Sequence, residues 1–198
     1  MISTLTTDLL KRRMVVMKIL WAAITMSILI LVFVTFQIKP PTQTPPVLEL
    51  NIPFVAIAVL VSFLSFALRR WTYLPKRFQS CFGKTHKPED FAQNPQTGQI
   101  DENRLQEIKR VPEGELSFLS LPGPIFVPFI LSLVLSEALT LCGFVMSNSA
   151  HEPSLIIPYA VTGLVLNLFH FPTLSKIVEA GEQARAAHQG EKTGLKFR

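Results

Sequence analysis

One carboxylate, Glu137, lies in the middle of an otherwise uncharged apolar stretch that runs from about Ile125 to Met146. At a helical rise of about 1.5 Å per residue, it is about 18 Å from the start of the stretch and about 14 Å from its end. This places it near the midplane of a hydrocarbon layer about 30 Å thick. A carboxylate at such a depth costs about 2.5 kcal/mol or more, so Glu137 is by default a candidate functional residue.

Small residues flank Glu137 along one side of the same predicted helix. On a helical wheel they fall within an arc of about 80°, with Glu137 at its edge; they are Ser132, Ser136, Thr140, Gly143 and Ser147. A second series, Tyr159, Gly163, Asn167 and His170, follows at spacings of four, four and three. Because small residues let membrane helices approach closely, we expect Ser132, Ser136, Gly143 and Gly163 to be helix-packing positions.

Four apolar stretches position these residues, at about 15–38, 52–68, 124–146 and 154–170. Each is long enough to cross a bilayer, although the second is at the lower limit of length. Pro40, Pro41, Pro45 and Pro46 end the first helix, since proline cannot continue it. The pattern predicts an all-α polytopic membrane protein: two hairpins (1–68 and 122–170), an aqueous loop (69–121), and a tail (171–198) with an amphipathic helix from Leu174 to about Ala187.

The third and fourth helices are joined by a short turn, so we expect them to be antiparallel neighbours. Counting residues from the same side of the membrane puts Tyr159 at the depth of Glu137, with Thr162 next. The second, third and fourth stretches contain no lysine or arginine. Because desolvation then favours the neutral acid, we expect the Glu137 carboxyl to be protonated and to share its proton with Tyr159 or Thr162.

Lysine and arginine residues indicate the orientation. The N-terminal flank through Lys18 has four, the 69–121 loop has nine and the tail has five, whereas the first connection has only Lys39 and the last turn has none. Both termini and the long loop are therefore expected in the cytoplasm. For a bacterial chain the membrane would be the inner membrane.

Other classes of protein are poorly supported by the composition. The net charge of +5 comes from basic residues that flank apolar stretches, which does not predict nucleic-acid binding. The two cysteines, Cys81 and Cys142, are expected at different depths, and neither has the spacing of a zinc site. No phosphate-binding loop or nucleophile–base set is present, so we expect no enzyme, no cofactor and no metal, and a 69–121 loop that packs on the membrane face.

The segment from Glu137 to Val145, EALTLCGFV, resembles the carboxylate helix of the ring-forming c subunit of ATP synthases. In that family the glutamate binds a proton or sodium ion, and the resemblance implies this role for Glu137, with Thr140 as a hydrogen-bonding neighbour. The preceding helix is glycine-rich in that family, whereas residues 52–68 contain no glycine. Over most of its length the chain is similar to small uncharacterised bacterial four-helix membrane proteins, which share an opening like Trp21-Ala22-Ala23 and a closing Phe171-Pro172-Thr173.

Two functions are compatible with these features. In the first, the protein is a structural or assembly component of the bilayer, a homo-oligomer or a partner of other membrane subunits, in which a protonated Glu137 bonds a neighbouring helix. In the second, it handles protons or cations through Glu137. Transport pathways usually contain several ionisable groups at depth, and here there is one, so the sequence favours the first function. We expect association to use the small-residue series around Ser136 and Gly143.

Overall fold

A computed structural model describes residues 2–38, 48–93 and 97–192, and these residues are almost entirely helical. The α-helices are α1 (Thr4–Arg13), α2 (Val15–Gln37), α3 (Leu48–Thr72), α4 (Pro75–Phe82), α5 (Pro88–Ala92), α6 (Glu102–Lys109), α7 (Pro122–Ala150), α8 (Ile156–Phe169) and α9 (Leu174–Lys192). Two 3-10 helices, Glu113–Ser120 and Pro153–Leu155, precede α7 and α8. The proline-rich connection predicted at 40–46 lies outside the described residues.

The chain folds into two compact units, each built from separate segments. Unit 1 contains 1–16, 73–126 and 173–198, and unit 2 contains 17–72 and 127–172. Unit 2 therefore holds most of the apolar helices, and unit 1 holds the segments predicted to be aqueous. The predicted loop and tail belong to one unit with the N-terminal segment.

Unit 1 begins with α1, a helix of ten residues. Ser3 caps the helix, because its hydroxyl accepts a hydrogen bond from the Thr6 amide at 3.3 Å. Lys11, Arg12 and Arg13 occupy the last turn, where positive charge interacts favourably with the helix dipole. Local side chains thus stabilise both ends of α1.

The core of unit 1 is formed by residues that are far apart in the chain. Apolar side chains from α1, α5, α6 and the first 3-10 helix pack together: Leu9, Phe91, Ala92, Ile108, Val111, Leu116 and Leu119. Elsewhere in the unit α4 packs on α9, with Phe78 and Ile177 fully buried. A Cβ atom at Gly181 of α9 would lie 2.6 Å from Leu121 Cδ1, so a larger residue there would displace the Leu121 side chain.

Three helical stretches are long and apolar enough to cross a membrane: Thr4–Gln37, Ile52–Phe82 and Glu113–Ala150. A bent pair, Pro153–Phe169 with Leu174–Gly190, meets at 51° and would bring the number to four. Helix α8 alone spans only about 21 Å, which is less than a typical hydrocarbon core. Among the described residues, these helices are therefore able to cross a membrane by their length and composition.

Several helices extend beyond the predicted spans. Helix α3 continues past the expected end at Leu68 to Thr72, and α7 occupies Pro122–Ala150 rather than 124–146. Hydropathy marks only the part of a helix that suits hydrocarbon, whereas Arg69 and Arg70 are good helix formers and continue α3. Pro122 fits the first turn of α7 because that turn needs no amide donor from it.

Candidate functional site

Glu137 contacts α2 in unit 2. The Ser27 hydroxyl donates a hydrogen bond to Glu137 Oε1 at 2.5 Å, and the glutamate side chain is half-buried. The predicted partners were wrong: the exposed Thr162 donates to the Pro158 carbonyl of its own helix at 2.8 Å. Among the described residues the Tyr159 hydroxyl has no hydrogen-bond partner, although it is buried.

The sequence contains a pattern that indicates Ser27 as the partner of Glu137. Ser27 lies twelve residues after Val15, and Glu137 lies twelve residues after Ile125. If both helices begin on the same side of the membrane, these equal counts place the hydroxyl and the carboxyl at the same depth. Ser27 belongs to the first helix, outside the hairpin in which Tyr159 and Thr162 were expected as partners.

The small-residue series of α7 faces α8. Ser132, Ser136 and Thr140 are fully buried. A Cβ atom on Gly163 of α8 would lie 2.6 Å from the Ser136 carbonyl oxygen and 2.8 Å from Thr140 Oγ1. A Cβ atom on Gly143 would likewise lie 2.6 Å from Tyr159 Cβ. The two glycines thus let the helix backbones approach from opposite sides of the contact.

Two hydroxyl groups of this series form hydrogen bonds within α7. Ser132 donates to the Pro128 carbonyl at 2.8 Å, and Ser136 donates to the Leu133 carbonyl at 2.7 Å. The buried Thr140 hydroxyl, expected beside Glu137, has no hydrogen-bond partner among the described residues. Because α8 of the same chain covers the series, association with another subunit through this surface, as we expected, would require the two helices to separate.

A second polar cluster links α2 to α8 and was not expected. Trp21 Nε1 donates to the Asn167 carbonyl, Asn167 Nδ2 donates to Thr25 Oγ1, and Thr25 donates to the Trp21 carbonyl, each at 2.8 Å. The ring of Trp21 also packs edge-on against Phe171, with centroids 5.0 Å apart. Asn167, a member of the second series, is fully buried in this cluster.

His170 connects the end of α8 to α3. Its side chain is buried, with Nδ1 2.6 Å from the Leu166 carbonyl oxygen and Nε2 3.3 Å from the Ser65 carbonyl oxygen. A carbonyl oxygen only accepts, so the neutral ring donates to one of them and the imidazolium to both. On α3, the Arg69 guanidinium lies over the Phe169 ring at 5.2 Å.

The polar groups of unit 2 therefore contact one another in pairs and chains across helix boundaries. Within the described residues no group of three or more His, Cys, Asp or Glu side chains could hold a metal ion. Cys81 and Cys142 are free thiols. Comparison of the chain with protein-family models, with curated proteins and with solved structures finds no match.

Proposed function

We propose that this chain is a four-span integral membrane protein with a structural or assembly role, and that the segments of unit 1 are cytoplasmic. The observation that carries the proposal is the composition of unit 1 from three segments separated by the spans. In this arrangement Glu137 is a helix-packing group. Its carboxyl is neutral and bonded to Ser27.

The topology is supported by contacts inside unit 1. Ser3 of the N-terminal segment donates to Glu115, and Arg13 donates to the carbonyls of Phe91 and Leu119. Helix α9 packs on α4 in the same unit. Residues in contact must be on the same side of the bilayer, so the intervening segments 17–72 and 127–172 must each cross an even number of times. Two crossings each give four spans, and because α9 belongs to unit 1 the fourth is the short stretch Pro153–Phe169 alone.

The side of the membrane follows from charge. Lysine and arginine are concentrated in the segments of unit 1, as expected for cytoplasmic segments. This assigns both termini and the 69–121 region to the cytoplasm. In a bacterial cell the host membrane would be the inner membrane.

The structural role is supported by how polar groups inside unit 2 are used. Glu137 binds Ser27 of α2, and Asn167 binds Trp21 and Thr25 of the same helix. Interhelical hydrogen bonds of this kind stabilise membrane bundles by about 0.6 kcal/mol on average. Proton or cation handling by Glu137 is the alternative function, and its support is the partial exposure of the carboxyl.

Glu137→Gln separates the two functions because the amide oxygen still accepts a hydrogen bond from Ser27 but carries no exchangeable acid proton. For a structural role we expect thermal unfolding of the full chain in neutral detergent to change little, and proteoliposomes of both proteins to show no proton flux above empty vesicles. Infrared difference spectra between the two proteins should contain a protonated carboxyl band from about pH 5 to about pH 9.

Glu137→Leu is the companion variant. It removes the acceptor and should lower stability by up to about 1.7 kcal/mol. Proton flux in the parent that disappears in Glu137→Gln would establish the alternative function, and a carboxylate band at neutral pH would exclude a neutral Glu137.

A further inference from the structure

A cleft of about 500 Å³ opens in unit 1, beside the segment that joins α4 to α5 and the first turn of the 3-10 helix Glu113–Ser120. Its volume is in the range of small-molecule sites. Lysine side chains from two parts of the chain line it: Lys84, Lys87 and Lys109. Val111 and Leu116 give it an apolar base, and both belong to the core of the unit.

The charges of the cleft are unbalanced. Glu113 is the carboxylate among its lining residues, so three lysines and one glutamate leave a net charge of +2. The ion pairs Lys11–Asp8 and Arg12–Glu107 lie outside this cleft. Like charges grouped around a cleft repel one another, and a bound anion would relieve that repulsion.

A neighbouring cleft shows how the chain uses basic residues for structure. There Arg12 pairs with Glu107 at 3.1 Å, and Arg13 donates to the Leu119 and Phe91 carbonyls at 3.0 and 3.1 Å. The Arg13 guanidinium also lies over the Phe91 ring at 4.7 Å. The lysines of the larger cleft have no such contacts in the part of the chain that the structure describes.

We propose that the cleft lined by Lys84, Lys87 and Lys109 binds a phosphate-bearing anion. Phosphate oxygens accept charge-assisted hydrogen bonds from ammonium groups, and lysine is a common phosphate ligand. An apolar part of the same ligand would lie on Val111 and Leu116. The phosphate belongs either to an anionic lipid headgroup or to a soluble phosphorylated molecule, and the proposal does not depend on the role of Glu137.

Hydrogen exchange of the full-length protein in nanodiscs tests the site. Inorganic pyrophosphate is titrated at low ionic strength into discs of phosphatidylcholine alone, because salt screens exposed charges. In a second arm the discs contain about a quarter phosphatidylglycerol and no pyrophosphate. We expect slower amide exchange in peptides covering 84–88 and 109–117. Slowing by pyrophosphate identifies a soluble ligand, and slowing by phosphatidylglycerol alone identifies a lipid headgroup.

Matched variants distinguish a specific anion site from general electrostatic attraction between the anion and a basic protein. Replacing Lys84, Lys87 and Lys109 together with glutamine should weaken binding about tenfold, whereas replacing the exposed Lys11, Lys76 and Lys176 should change it less than about twofold. Glu113→Gln should tighten binding because it removes the lining carboxylate. Circular dichroism verifies that each variant is folded. The proposal fails if neither probe slows exchange, if both triple variants lose binding equally, or if Glu113→Gln binds no more tightly.

Discussion

Gly163 sets how closely α7 and α8 approach. An added Cβ would meet a backbone oxygen of Ser136, which no side-chain rotation can move away. The hydroxyl of Thr140 closes the other side at 2.8 Å. The contact therefore tolerates a hydrogen at this position and nothing larger without moving a helix.

Gly163→Ala should consequently destabilise the full chain by about 1–3 kcal/mol, the usual cost of overpacking a close contact. The measurement is thermal or denaturant unfolding in neutral detergent. Gly123→Ala is the matched control, because nothing lies within 4 Å of the Cβ that it would add. Equal stability of the two variants would show that α7 and α8 do not meet in this way.

At the scale of single residues, the sequence predicted the packing positions of α7 and α8 better than the hydrogen-bond partner of Glu137. Helical spacing brought Ser136, Gly143 and Gly163 to the right faces because spacing alone determines which side of a helix a residue occupies. The partner of Glu137 depends on which helix lies beside α7, and this is a tertiary property. Ser27 was therefore missed, although its depth matched.

At the scale of elements, α1 is held to the first 3-10 helix by one carboxylate oxygen. Glu115 Oε2 accepts hydrogen bonds from the Ser3 amide at 3.0 Å, the Ser3 hydroxyl at 2.6 Å and the Thr6 hydroxyl at 2.5 Å. Partial burial acts to raise the pKa of Glu115, but these hydrogen bonds and the charge of Arg185 act against it, so the pKa lies below its ordinary value. The ionised form is thus the one that binds α1.

Attachment of α1 should for this reason depend on pH. A depressed pKa in the folded protein means that Glu115 contributes stability above the unfolded value of 4.5 and loses it as the pH falls through the lower folded value. We expect faster hydrogen exchange in residues 4–13 below that pH. Glu115→Gln should show fast exchange already at neutral pH.

Glu113→Gln is the matched control for this experiment, because it removes an exposed carboxylate two residues away in the same 3-10 helix. It should leave exchange in α1 unchanged at neutral pH. If Glu115→Gln behaved like this control, the three hydrogen bonds would contribute nothing measurable to the attachment of α1.

At the scale of the whole molecule, the proposed topology can be measured directly. Reporter fusions at His86 and after α9 should report the cytoplasm, and a fusion at Asn148 should report the opposite side. The physical reasons are the positive charge of the unit 1 segments and their contacts with one another. Opposite locations for His86 and the end of α9 would exclude the arrangement.

Hydropathy was sufficient to place the apolar helices but not to predict unit 1. The apolar stretches carry their own signal, whereas the core residues Leu9, Phe91 and Ile108 each lie in a short segment rich in charged or polar residues. Their contacts connect positions about a hundred residues apart, and no local pattern reports such a pairing. The 69–121 segment was for this reason expected to be a loop rather than part of a composite unit.

Because unit 1 is built from three separate segments, the order of synthesis limits when its contacts can form. Helix α1 leaves the ribosome first, but its partner Glu115 is made only after α2 and α3, and α9 follows only after α7 and α8. The contact of α4 with α9 therefore forms last, whereas the core around Leu9 and Phe91 is complete in sequence before α7 is made. In the proposed four-span topology, a chain that failed to insert its second hairpin would leave Phe78 and Ile177 without their packing partners and would expose apolar surface to the quality-control proteases of the cell.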